Sequence, residues 1–277
     1  MAREGPTEEI LERARDLDER SVGEILRLIH EEDALALAAV GQVLGQIEAA
    51  VDVLEATLAG GGTWINVGAG TSGRIGVLDA SEIPPTFGLS PKRVQAVIAG
   101  GEKALRIAVE GAEDNFEAGS WELRERGLEM GDAVVALSAS GTTPYVLGAI
   151  EAAHDVGARS IGISCDPSSP LAEAVEISIA PRVGPEVIAG STRMKGGLVQ
   201  KMILHSLSTA VMVKLGRVHG NLMTNLSPAN RKLKERALGI LIRLTDLPAD
   251  EAGQLLDQNG GCVEAALQVA RRRAAGS

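Results

Sequence analysis

Trp64-Ile65-Asn66-Val67-Gly68-Ala69-Gly70-Thr71-Ser72-Gly73-Arg74 is a short apolar run that breaks into a loop of glycines and hydroxyls. A second break of this kind follows, where Ala133-Val134-Val135-Ala136-Leu137 runs into Ser138-Ala139-Ser140-Gly141-Thr142-Thr143-Pro144. β-Branched runs that stop at small residues and restart with helical spacing read as strands of an α/β sheet. Such sheets bind ligands beyond the C-terminal ends of their strands. Glycine lets backbone N–H groups approach an anion, the following helix N-terminus adds its dipole, and hydroxyls donate further hydrogen bonds. Two such loops predict one site, and the anion expected there is a phosphate.

Gly68, Gly70 and Gly73 also spell G-x-G-x-x-G, the dinucleotide fingerprint. That alternative wants an acidic residue after the next strand to hold a ribose, but the next apolar run, Val94 to Ala99, ends in Gly100-Gly101. It also gives the second hydroxyl loop no task, whereas a phosphosugar gains by having its phosphate surrounded from two loops.

Working outward, strand-like runs fall near 63–67, 94–99, 133–137, 160–164 and 176–180, with helical patterns between most of them. This alternation predicts a three-layer αβα domain on a mainly parallel sheet. Upstream, the charged N-terminus gives way to helical apolar spacing at Ile25, Leu26 and Ile29, and Ala34 to Leu58 reads as one long amphipathic stretch. Downstream, Leu198, Met202, Leu204, Leu207 and Val211 predict a buried helix within 192–215 that carries Gly196-Gly197 near its start. Pro228 and Pro248 punctuate a helical tail. The expected division is an N-terminal helical segment over 1–60, the α/β domain over 61–226 and a short helical C-terminal tail over 227–277.

Composition narrows the function. Hydrophobic residues make up 45% of the 277, enough for a core, but aromatics are 2%, which leaves little to stack on bases. With a net charge of −10, no nucleic-acid partner is expected. No apolar run approaches the roughly 20 residues of a membrane span and the acidic N-terminus lacks a signal-peptide pattern, so a cytoplasmic protein is expected. Cys165 and Cys262 are far apart and are expected to be reduced, Cys165 packing behind the run Ser160 to Ser164. His30, His154, His205 and His219 form no ligand pattern, so no metal is implied.

The segment Gly68 to Glu82, followed by Pro84-Pro85-Thr86-Phe87-Gly88, resembles the N-acetylmuramic acid 6-phosphate etherases of the sugar isomerase (SIS) superfamily. Val109 to Asp114, Gly184-Pro185-Glu186-Val187, Gly190 to Lys195 and Gly220-Asn221-Leu222-Met223 are similar to that family's motifs in its order, and the likeness spans roughly residues 20 to 240. The resemblance implies an SIS fold, a homodimer and a lyase without a cofactor, which removes the D-lactyl ether from N-acetylmuramic acid 6-phosphate. With the pyranose open, the C1 aldehyde acidifies C2; a base takes that proton, an acid helps lactate leave C3, and water adds to the enal. Two carboxylates in different environments can perform both steps. By motif match they are Glu82, as the acid, and Glu113, as the base. Their alternative reading is a cap or salt bridge for Glu82 and a solvated acidic cluster with Glu110 and Asp114 for Glu113.

For the phosphate the resemblance implies Ser72 and Gly73 in the first loop and Ser138, Ser140 and Thr143 in the second, with helix capping as the competing role of the hydroxyls. Thr71, Arg193 and Lys195 are secondary candidates, the two cations for phosphate or lactate carboxylate, or else for an inter-subunit or surface ion pair. Three departures stand out. Thr142 occupies the place of an arginine in the family's second loop, Ile83 replaces the cysteine after the first-motif glutamate, and the tail after Asn230 keeps only a segment near Leu255 to Leu267. Two other functions fit the same fold: an aldose–ketose isomerase, and a non-catalytic phosphosugar-sensing regulator.

Overall fold

A computed structural model describes residues 5–275. The chain divides into two compact units, 1–80 with 92–209 and 81–91 with 210–277.

After two single turns, Glu12–Ala14 and Leu17–Glu19, the first unit forms α1 (Val22–Gly41), whose N-terminus is closed by a capping box: the Ser21 side chain accepts from the Glu24 N–H while the Glu24 carboxylate accepts from the Ser21 N–H. It then gives α2 (Leu44–Ala59), β1 (Trp64–Gly68), α3 (Gly70–Phe87), β2 (Val94–Ile98), α4 (Phe116–Glu125), β3 (Ala133–Leu137), α5 (Pro144–Val156), β4 (Arg159–Ile163), α6 (Pro170–Ala174), β5 (Ile177–Ile179) and α7 (Lys195–Lys214). The unit boundaries fall inside α3 and α7. The stretch from Ala34 to Leu58, expected as one helix, is two, with a 60° bend between α1 and α2. Gln42 and Val43 make the break, and Val43 turns inward to become part of the core. Among the described residues no single helix is long and apolar enough to cross a membrane.

All five strands are parallel, in the order β2-β1-β3-β4-β5. They read as continuous apolar runs because helices cover both faces of the sheet. On one face Ile65, Val67, Val134 and Ala136 pack with Leu123 of α4 and with Tyr145, Val146 and Ile150 of α5. On the other, α3 comes so close that a Cβ on Gly76 would lie 3.2 Å from the Asn66 Cβ. Trp64 is fully buried there, and its indole N–H donates to Asn66 Oδ1 at 2.7 Å. The chain leaves β1 outward to β2 and returns to the far side of β1 as β3, so the connections diverge between β1 and β3. A crevice at such a switch point is where open α/β sheets bind ligands.

The second unit contains α8 (Arg231–Thr245), α9 (Ala249–Gln258) and α10 (Val263–Ala275). The tail read from the sequence as helical over 227–277 holds these three helices, which close on a core of their own, with Leu241, Leu255, Val263 and Leu267 almost wholly buried. Asn230 caps α8, its side chain accepting from the Leu233 N–H at 2.9 Å.

Candidate active site

The register pairs Gly68 with Leu137, the last residues of β1 and β3, so both hydroxyl loops start side by side at the switch point. The first loop turns so tightly that an added Cβ on Gly68 would lie 2.6 Å from the Gly73 N, and one on Gly73 would lie 2.7 Å from the Gly68 O. The G-x-G-x-x-G pattern corresponds to a strand-to-helix turn in which backbone meets backbone.

Ser72 is buried in the first turn of α3, and its Oγ donates to Gln200 Oε1 at 2.8 Å. In the second loop four hydroxyls form a chain: Thr143 to Ser138 at 2.8 Å, Ser138 to Ser140 at 3.4 Å and Ser140 to Thr142 at 2.9 Å. Ser138 Oγ also accepts from the Gly141 N–H at 3.0 Å, which fixes its lone pairs and leaves its hydrogen for the chain. Three internal bonds use three of the four hydroxyl hydrogens, so at least one hydrogen remains for an anion. Thr143 stands at the N-cap position of α5, but its side chain caps nothing. The capping alternative therefore fails for Ser72 and Thr143.

A third helix start joins these loops. A Cβ on Gly196 would meet Ala139 at 3.0 Å, and one on Gly197 would meet Thr71 at 3.2 Å, so the small residues at the start of α7 fit it against both loops of its own chain. Its first turn is capped by the buried carboxylate of Glu186, which accepts from the Lys195 N–H at 3.0 Å and the Gly196 N–H at 2.9 Å. Lys195, a secondary candidate for an anionic ligand, is corrected by the structure. It is 2% exposed, and its ammonium pairs with Glu32 at 2.5 Å and donates to the Val183 carbonyl at 2.8 Å. Burial pushes the Glu32 carboxyl up, but hydrogen bonds from Lys195 and Arg13 outweigh it and hold the group below its ordinary value. Arg193 is exposed, and Thr71 and Ser140 are partly so.

Glu82 lies in α3, in the part belonging to the second unit, and Glu113 lies in a single helical turn, Ala112–Asp114, of the first. Both are exposed, and neither carboxylate is held by a cap or an ion pair with another described residue. Cys165 is buried, and burial pushes its thiol up to about 12, in keeping with packing.

Behind the first loop sits a residue the sequence reading passed over. Asp79 of α3 is 2% exposed; its Oδ1 accepts from Ser208 Oγ at 2.6 Å and lies 3.8 Å from His205 Nδ1, while its Oδ2 has no hydrogen-bond partner among the described residues. Burial pushes its carboxyl up to about 7, against the smaller opposing effects of the Ser208 hydroxyl and the Asn66 amide. A folded-state value raised above the unfolded one makes Asp79 favour the native state at low pH, and that contribution is lost as pH rises from about 4 towards 7. Between about pH 5 and 6.5 the loss from this residue is on the order of 2 kcal/mol, and Asp79→Asn is expected to remove it. Urea unfolding at the two pH values checks this; an equal pH dependence in wild type and variant would contradict it.

The family model for the glucokinase regulatory protein N-terminal SIS domain matches residues 46–154. Among solved structures, a phosphoheptose isomerase from Francisella tularensis aligns at a TM-score of 0.55 and 20% identity, covering 70% of this chain and 99% of its own. A phosphoheptose isomerase from Neisseria gonorrhoeae aligns at 0.53 and 18%, covering 69% and 98%. Parallel sheet, switch-point loops and these likenesses together define an α/β domain of the sugar-isomerase fold. Among curated relatives, an N-acetylmuramic acid 6-phosphate etherase of Escherichia coli (strain SMS-3-5 / SECEC) is 44% identical over 91% of this chain and 94% of its own. That of Pectobacterium atrosepticum is 48% identical over 91% and 83%. The chain belongs to the N-acetylmuramic acid 6-phosphate etherase family.

Proposed function

We infer that this protein is a carbon–oxygen lyase that cleaves the D-lactyl ether of N-acetylmuramic acid 6-phosphate, giving N-acetylglucosamine 6-phosphate and D-lactate. The observation that carries the reading is identity of 44–48% to etherases over about nine-tenths of the chain. Hydroxyl loops at the switch point of the sheet support it. In this reading the 6-phosphate sits between Ser72 with Gly73 and the chain of Ser138, Ser140 and Thr143, where first-turn N–H groups and hydroxyl hydrogens serve an acceptor-only dianion. Glu113 takes the C2 proton and Glu82 protonates the departing lactate oxygen at C3; with no ion pair to another described residue, both are available for proton transfer. Water then adds to the enal and C2 is reprotonated.

A coupled assay for D-lactate tests the reaction. Stoichiometric lactate and N-acetylglucosamine 6-phosphate are expected. Conversion of sugar phosphate without lactate would point to an aldose–ketose isomerase, and binding without turnover to a phosphosugar sensor. Ser138→Ala is expected to weaken substrate binding by about 1–3 kcal/mol, read as KM, and unphosphorylated N-acetylmuramic acid to be a poor substrate. Equal turnover of the unphosphorylated sugar would contradict the phosphate assignment.

The reading includes a cytoplasmic homodimer, with the 61–226 region as its SIS body. Gly196-Gly197 pack within the chain, while Val22, Leu26 and Leu37, on one face of α1, are 73%, 61% and 58% exposed and offer an apolar surface. Sedimentation at micromolar concentration is expected to give a dimer; a fully active monomer would contradict it.

A further inference from the structure

Gln200 is wholly buried on α7, and its amide has one hydrogen-bond partner among the described residues, the hydroxyl of Ser72. Its other end, Nε2, is buried and has no partner among the described residues. Leaving a buried N–H₂ unsatisfied is costly, and a leucine or methionine would fill this place on an apolar helix face without that cost. Gln200 falls on the same helical stripe as Leu204, Leu207 and Val211, where the spacing calls for an apolar residue.

The arithmetic of hydrogens gives the amide a purpose. Ser72 has a single hydroxyl hydrogen, and in this structure it is spent on Gln200 Oε1. A phosphate dianion can only accept, so Ser72 cannot donate to it in this arrangement. If the amide turns over, Nε2 donates to the Ser72 oxygen and the hydroxyl hydrogen is released. We propose that Gln200 is a positioning residue for the sugar 6-phosphate: its amide reverses on binding, donates one Nε2 hydrogen to Ser72 Oγ, and makes Ser72 a donor to the phosphate. The inference rests on the phosphate reading of the first loop. It accounts for a polar side chain, with no other partner among the described residues, directly behind that loop.

The test is the KM and kcat of wild type, Ser72→Ala, Gln200→Met and the double variant on N-acetylmuramic acid 6-phosphate. Methionine keeps the volume and removes the amide, and thermal unfolding checks that the fold survives. Methionine frees the Ser72 hydrogen but leaves the hydroxyl without the Nε2 donor that orients it towards the phosphate, so Gln200→Met is expected to raise KM about tenfold, with kcat within about twofold of wild type. Because Gln200 acts through Ser72, the double variant is expected to be no worse than Ser72→Ala alone. Independent, multiplying effects would overturn the proposal, as would a wild-type KM for Gln200→Met beside an impaired Ser72→Ala. A wild-type KM for Ser72→Ala would instead overturn the phosphate reading itself, and the proposal with it. Gln200→Glu supplies a second measure that does not depend on the methionine variant folding. Its carboxyl can donate to Ser72 only while protonated, so its KM is expected to climb about tenfold with pH relative to wild type. A KM–pH profile parallel to wild type would overturn the proposal.

Discussion

Glu113→Gln is expected to slow D-lactate release by about two to four decades and to abolish exchange of the C2 proton with solvent, the usual loss when a positioned proton carrier is removed. The amide keeps the size of the side chain and cannot accept the proton, and Glu113 is exposed on a single turn, so the fold does not depend on its charge. Glu82→Gln is expected to differ in kind. Loss of the acid hinders departure of lactate from C3, but the aldehyde still stabilises charge at C2, so exchange in deuterated water stays measurable. Mass spectrometry of recovered substrate and product separates the two variants. Exchange lost in the Glu82 variant and kept in the Glu113 variant would reverse the roles; unimpaired lactate release in both would move the site elsewhere.

Lys195→Met is expected to act on stability rather than on substrate. The ammonium is 2% exposed beside a Glu32 that is equally buried, and removing one partner strands the other charge. Breaking a buried pair costs about 3–5 kcal/mol, and the lower end is expected here because Arg13 still reaches Glu32 at 2.6 Å. Denaturant unfolding should show this loss while KM of the folded enzyme stays near wild type. Glu32→Gln added to Lys195→Met is expected to recover part of it. Unchanged stability with a raised KM would return Lys195 to the ligand.

What could be read from the sequence follows from which forces are local. β1 and β3 are legible because a strand covered on both faces must be apolar throughout, and their loops are legible because glycine and hydroxyl residues crowd where the strand stops. Even Gly68 and Gly73 are visible, though their packing role needed coordinates. The Lys195–Glu32 pair was hidden because its partners are 163 residues apart and a lysine in sequence looks like a surface cation. Gln200 and Asp79 were hidden for a related reason: each is a polar residue in an apolar pattern, and the pattern does not say what it faces. The break at Gln42-Val43 lacks proline and has only Gly41 and Gly45 beside it as weak helix breakers, so tertiary packing of Val43 decides it. Glu82 and Glu113 came from the family's motifs; nothing in local spacing marks either carboxylate as reactive.

The central claim is that the ether is broken by elimination at the sugar, between C3 and oxygen. Wild-type protein turned over in ¹⁸O-labelled, deuterated water tests it most directly. Elimination followed by hydration predicts ¹⁸O at the C3 hydroxyl of N-acetylglucosamine 6-phosphate, deuterium at its C2, and D-lactate that keeps its original ether oxygen. Label in the lactate, with none at C3 and no deuterium at C2, would show cleavage on the lactyl side and contradict the account.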